Sequence, residues 1–374
     1  MNVIPLLFKR LLAPSQTRIG GNRCLRYRLV FAAAVLWTGS ASAANFHSYC
    51  ATTSAELQGA LDAAASFSAV GDSTIVSLVP GTTYKTTALA TPQPFRYSST
   101  GTTGYLWLSG DARYPCANAS DTSFPLLDGD HTTPVLVLHA TQSAIIVNHL
   151  IIQNGESTKP GAGLSLNTTT GDKGAFNIYG NIIRRNHTTA SLGGVWIVDQ
   201  SPSGNNDFFA NVIIKNSADA GYGAGGVSGN GYLTLLSQNT VADNKTSLVG
   251  GPGGMSFESN AARTLFVFNS IFWGNDNFDL SLNSDKEITL DYCDYGTRDG
   301  YLPYYEDGRL QLDPQFVDPS AGNFRLQGTS PALGVSPDAL TGSDVEGNLL
   351  PNGGLVDLGA YTRTIFKDGF ETLN

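Results

Sequence analysis

Charge is scarce in this chain, and basic charge scarcer still: 14% of its 374 residues are charged, with 22 Lys+Arg against 31 Asp+Glu. Six of the basic residues (Lys9, Arg10, Arg18, Arg23, Arg26 and Arg28) lie in an opening stretch that contains no acid. Without those six the balance is 16 against 31, a net charge of −15. Phosphate-backbone binding rests on Lys and Arg neutralising phosphates, so nucleic acid and anionic membrane surfaces are not expected partners. Long apolar runs are also missing. A membrane span needs about 20 consecutive apolar residues, whereas the run from Leu29 to Trp37 is far shorter. Basic residues, a short apolar run and then Ala41-Ser42-Ala43 make the pattern of an export signal, residues 1–43. An N-terminal anchor is the alternative reading. Cysteine is sparse too: there are four, and Cys24 lies in the signal. Cys50, Cys116 and Cys293 are too far apart to suggest zinc binding, and no metal site is expected. Cys50 and Cys116 can pair in an exported protein, while Cys293, in a strand-like run, is expected to be a buried free thiol.

What the chain has instead is 42 glycines, 15 tyrosines and a repeated phrase. An Asn, an apolar run and a second Asn recur at Asn148–Asn154, Asn181–Asn186, Asn211–Asn216, Asn239–Asn244 and Asn269–Asn275. The leading asparagines are 33, 30, 28 and 30 residues apart. A near-fixed period means a stack of similar coils. Each period holds three short β-branched runs bounded by turn residues, as in Gly194–Val198, Asp207–Ala210 and Val212–Lys215. Recurrent glycine and β-branching disfavour helix. The expected fold is all-β: a right-handed parallel β-helix with three strands and about 30 residues per coil, neighbouring coils rising ~4.8 Å. Asn148, Asn181, Asn211, Asn239 and Asn269 would form a corner ladder, each in the left-handed conformation and bonded to the next. Leu164, Val195, Val227, Met255 and Leu280 on the first strands, and Leu150, Ile183, Ile213, Val241 and Ile271 on the third, would point inward and set the register. A helix from Ser54 to Ala65, with Ser54 as N-cap, would cover the N-terminal end through Leu57, Ala60, Leu61 and Ala64. The Pro- and Gly-rich stretch from Leu312 to Tyr361 would wrap the other end. The expected divisions are thus 44–134 for the cap and first coils, 135–311 for the coils, 312–362 for the C-terminal cap, all one domain, and 363–374 for a tail.

Several short pieces now combine in order: Pro80-Gly-Thr-Thr-Tyr84, Gly110 to Cys116, Pro125-Leu-Leu-Asp-Gly129, and the coils opening on Gly-Gly. Asp313-Pro-Gln-Phe-Val-Asp318, Ser330-Pro-Ala332 and Asp357-Leu-Gly-Ala-Tyr361 follow. In this order they resemble the bacterial parallel β-helix proteins of the pectin-lyase-like superfamily, specifically the choice-of-anchor Q type. The resemblance implies an exported, surface-associated protein of a Gram-negative bacterium with a variable C-terminal tail. It implies no common reaction. The family pattern has Arg near Gly347 and Glu after the closing Tyr, where this chain has Asn348 and Thr362. The tail, Thr364 to Glu371, resembles a short terminal segment of other exported proteins, with a sorting or anchoring role as its implied use.

In enzymes of that superfamily the substrate groove runs along the outer face of the first strands. The outward positions here are Ser165, Trp196, Ser228, Ser256 and Ser281, a polar floor with one aromatic plate suited to stacking on a sugar ring. A loop lying over Trp196 is the competing expectation. Tyr222 on a flanking loop adds a second aromatic. Asp199, Asp219 and Glu258 are the candidate catalytic acids, and Asp199 and Glu258 would sit two coils, roughly 10 Å, apart. Acid and base in glycoside hydrolysis need about 5–10 Å between them, so the pair is marginal. The signature runs of polygalacturonases and pectate lyases are missing; Val195-Trp-Ile-Val-Asp-Gln200 only echoes the latter. Arg184, Arg185 and Lys215 cluster on the third-strand face with Asp243 and Trp273, away from that groove. His131 reads as a turn residue. The sequence therefore favours a non-catalytic glycan or surface-polymer binder. A polysaccharide lyase or glycoside hydrolase, with Ca²⁺ required only if it is a lyase, and a passive structural or adhesive spacer are the alternatives.

Overall fold

The computed structural model describes residues 45–363 apart from 100, 102–103, 112–115, 117–122, 170, 200–205, 221–225, 232–233, 259–264, 284–287, 338–341 and 352–353. The expected signal, Tyr222 and the terminal tail lie outside the described residues. Strands repeat in the order first, second, third and stack into three parallel sheets. The first-strand sheet has eight strands, from Phe95–Ser98 to Arg298–Gly300. The second has ten, from Phe46–Ala51 to Tyr305–Asp307, and the third has eight, from Thr83–Lys85 to Asp294–Tyr295. This is a parallel β-helix. Among the described residues, no helix is long and apolar enough to cross a membrane.

Alternating side chains build the core. Leu164, Val195, Val227, Met255 and Leu280 pair in one register and are all buried. The third-strand column is Ile152, Ile183, Ile213, Val241 and Phe272. This corrects the expected column at its two ends: Leu150 and Ile271 fall out of line with Ile183, Ile213 and Val241. Cys293 is buried beside the last coils, and burial pushes its thiol up to about 12. Cys50 and Cys116 form a disulfide.

Two asparagine ladders run along the corners. At the first corner, Asn181 donates to Asn211 Oδ1 and Asn211 to Asn239 Oδ1, each at 3.1 Å through Nδ2. Leu150 N donates to Asn181 Oδ1 and Asn239 N to Ser270 Oγ, both at 3.1 Å, so Leu150 and Ser270 occupy the end positions. Asn148 and Asn269 therefore stand outside the ladder. Asn148 pairs as the last residue of a second strand and accepts from Trp107 Nε1 at 2.6 Å. The left-handed residue is also not the ladder Asn but the one before it: His149, Gly180, Ala210, Gln238 and Asn269, with φ between 49° and 64°. The second ladder joins Asn186, Asn216, Asn244 and Asn275 and ends on Asp279 Oδ1, with Nδ2–O distances of 2.9–3.0 Å. Each Asn there also bonds a backbone carbonyl of the preceding coil, Ile152, Ile183, Ile213 or Val241. Gly163, Gly194, Gly226 and Gly254 lie against these amides, and a Cβ on any of them would come within 2.6–3.0 Å of an Asn Nδ2. The glycine before each first strand is thus the space that the ladder occupies.

The helix runs Ser54–Ser68, and its N-cap is Thr53, not Ser54. Thr53 Oγ1 accepts from Glu56 N, and Glu56 accepts from Thr52 N, a variant of the capping box. Leu57, Ala60, Leu61 and Ala64 are buried as the helix packs on Phe46–Ala51, Ser73–Leu78 and Phe95–Ser98.

The C-terminal region starts at the end of the stack, where Leu312 N donates to Asp294 of the last third strand, but most of it packs elsewhere. Its buried residues Phe316, Phe324, Val345, Leu358 and Tyr361 pack along the flank, on Val212, Ile214, Ala242 and Ile271 of the third-strand face. Gln238 Nε2 donates to Asp357 O and Gly359 O, both at 3.0 Å, and Gly359 N donates to Asn269 O at 2.8 Å. Asn348 and Thr362 meet on one buried carboxylate. Asn348 Nδ2 and Thr362 N each donate to Asp344 Oδ2 at 3.0 Å.

Candidate functional site

Along the first strands the register places Ser165, Trp196, Ser228, Ser256 and Ser281 in one column. The column is not an open floor, however: Ser165, Ser256 and Ser281 are 5%, 3% and 2% exposed. The loop before the first strand that begins at Leu164 lies against Ser165 and Trp196. Gly161, with φ 80°, leaves room for a Cβ only 3.0 Å from Trp196 Cβ and 3.1 Å from Ser165 Cβ. Trp196 itself stays half-exposed, and its indole N–H has no hydrogen-bond partner among the described residues. By contrast, the indole N–H of Trp107 is taken up by Asn148.

The two strand-end acids lie two coils apart but one residue out of register. Val198 pairs with Asn230 and Asn230 with Glu258, whereas Asp199 pairs with Gly231. Asp199 and Glu258 thus occupy strand positions of opposite parity.

Chemistry gathers instead around two histidines that the sequence reading passed over. His139 lies in the same outward register as Asn167 and Val198. Its Nε2 is 3.1 Å from Asp172 Oδ2, and its Nδ1 is 3.4 Å from Ser98 Oγ. Burial works to raise the pKa of Asp172, but hydrogen bonds from Thr169 and His139 outweigh it and hold the carboxyl below its usual range. The second histidine sits on the wall beside this face. Glu156–Ser157, His187–Thr188, Ser217–Ala218 and Lys245–Thr246 form a narrow parallel sheet just after the second corner. There His187 Nδ1 meets Ser217 Oγ at 2.9 Å, while Nε2 lies 3.4 Å from Asp219 and 3.7 Å from Glu156. Ser247 donates to the other Asp219 oxygen at 3.2 Å. Asp219, one of the three candidate acids, is therefore engaged with a histidine and a second carboxylate, all partly exposed.

A histidine bound to a carboxylate can carry a proton in general acid–base chemistry, and the same groups are hydrogen-bonding partners for sugar hydroxyls. Among the described residues no set of three His, Cys, Asp or Glu side chains is placed to hold a metal ion. His187 and Asp219 come together only because their coils stack, 32 residues apart in sequence. The hint available beforehand was their position: each lies one or three residues after a ladder asparagine, Asn186 and Asn216. No protein-family profile, curated protein or solved structure matches the chain.

Proposed function

We propose that this protein is an exported, surface-associated β-helix of the pectin-lyase-like kind, choice-of-anchor Q type, that binds a glycan without cleaving it. One observation carries the reading: Trp196 is half-exposed on the first-strand face with its indole N–H uncommitted. Asn167 on the same face, held by Ser165 at 2.9 Å, and His187 on the narrow sheet just after the second corner supply hydroxyl-binding groups. An aromatic plate together with such groups suits the apolar face and hydroxyl edge of a pyranose. A glycoside hydrolase or lyase is the second reading, favoured by Asp219 and Glu156 converging on His187.

The test is a polysaccharide panel read for binding and for new reducing or unsaturated ends. The expected result is binding without new ends, weakened about tenfold by Trp196→Ala through loss of stacking area. Cleavage that disappears in Asp219→Asn would establish the second reading. Binding indifferent to Trp196→Ala would remove the site from this face, and no binding across the panel would leave a passive spacer.

A further inference from the structure

Where the C-terminal region crosses the third-strand face, the two do not close completely. They leave an open cleft of about 540 Å³, between Asp243 and Trp273 on the coils and Gln315, Phe316 and Gln327 on the C-terminal segment. We infer that this cleft is a second carbohydrate site, selective for neutral pyranose sugars over uronates. Its volume falls in the range of small-ligand sites, roughly 300–1,000 Å³.

The lining has the required chemistry. Trp273 is half-exposed, with no hydrogen-bond partner for its indole N–H among the described residues. Behind it Phe324 is 1% exposed and Phe316 8%, with rings 5.0 Å apart, so the apolar wall is held by the core. The two amides are held by one end each, which fixes what the other end offers. Gln315 Oε1 accepts from Thr329 Oγ1 at 2.7 Å, leaving its NH₂ as donor. Gln327 Nε2 donates to Phe316 O at 3.0 Å, leaving its Oε1 as acceptor. A donor and an acceptor side by side match the mixed donor–acceptor character of neighbouring sugar hydroxyls. Charge settles the subclass. No Lys or Arg is among the described residues that line the cleft, and Lys215 nearby is already bonded to Asp243 and lies over the Phe324 ring at 5.9 Å. Asp313, held by Gln315 N at 2.8 Å, adds an exposed negative charge on the rim with no ion-pair partner among the described residues. A uronate carboxylate would meet repulsion there, while a neutral ring would not.

The test uses the purified protein, calorimetric titration, and three neutral probes (cellohexaose, xylohexaose and mannohexaose), with hexagalacturonate as the charged comparison. At least one neutral probe is expected to bind, and Trp273→Ala to weaken it about tenfold. Ser320→Trp, placed on the exposed rim to fill the cleft without touching the core, is expected to weaken it as well. This second variant guards against Trp273→Ala acting through loss of packing. Trp196→Ala is expected to leave the same binding in place. Binding that survives both cleft variants, tighter binding of hexagalacturonate, or no neutral binding at millimolar concentration would overturn the inference. If Trp196→Ala alone abolishes binding, the inference fails and the proposed function stands. If only the cleft variants abolish it, the cleft stands, and the first-strand face is decided separately by the polysaccharide panel and Trp196→Ala.

Discussion

Asp294 sits at a third-strand position in register with Ile271, is fully buried, and has one oxygen with no hydrogen-bond partner. Its other oxygen accepts only a 3.4 Å bond from Leu312 N. Burial, reinforced by Asp279 and Asp313, pushes its carboxyl up to about 7. The folded state therefore holds this proton more tightly than the unfolded chain, whose carboxyl titrates near 4. The sign follows directly: the contribution of this group to stability is fully present below about pH 4 and is lost as pH rises through about 7, by an amount on the order of 2–4 kcal/mol. Asp294→Asn is expected to flatten that slope and to be more stable than the native protein at pH 8. Denaturant midpoints measured from pH 4 to pH 8 decide it, and parallel slopes in the two proteins would refute the assignment. Nothing in the sequence marks Asp294 as different from the other acids, because its burial comes from strands and segments that meet it only in the folded molecule.

At the scale of elements, the ladders are the distinctive device. Asn216 Oδ1 accepts from Asn186 N and Nδ2, and its own Nδ2 donates to Ile183 O and Asn244 Oδ1. Asn216→Ala would strand several buried polar groups at once, at a cost on the order of 3–5 kcal/mol. Asn148→Ala, which strands mainly the Trp107 N–H, is expected to cost about 1–2 kcal/mol. Equal losses in urea unfolding would mean that the ladder contributes nothing special. The distinction between these residues was legible beforehand. The three central phrases have their asparagines five apart (181/186, 211/216, 239/244), whereas the outer two are six apart (148/154, 269/275). The corner spacing is a constant five, so a spacing of six shows that an outer copy is out of its columns: Asn269 has left in the last phrase, and Asn148 and Asn154 both precede the corner positions Leu150 and Gly155 in the first. Attention to the leading asparagines alone hid this, and the whole second ladder with it.

Across the whole molecule, the C-terminal region is joined to the flank through the first corners. Gly359 has φ 86°, and a Cβ there would lie 2.7 Å from Thr240 Oγ1 and 2.9 Å from Ile271 Cδ1. Gly359→Ala meets both backbone strain and a clash, a loss of roughly 1–3 kcal/mol borne by this junction. The expected signature is lost amide protection at residues 357–360, with protection in the central coils unchanged. Unaltered exchange at 357–360 would show that the segment is not held there. This docking also determines the surface. It covers Val212 and Ile271 and turns Trp273 from a face residue into the wall of a cleft.

The coil period, the three strands per coil and the inward columns were determined by the sequence itself, because alternation and turn spacing are local and repeat with every coil. That the outer coils break the pattern was readable too, from the six-residue phrases, though the size of the offset at Asn148 was not. Only the tertiary structure decided which faces are covered, which histidines meet carboxylates, and where the C-terminal region lies. Those outcomes depend on contacts between residues tens to more than a hundred positions apart, such as Gln238 with Asp357. A repeat constrains the distance between one coil and the next, but it says nothing about what folds across them.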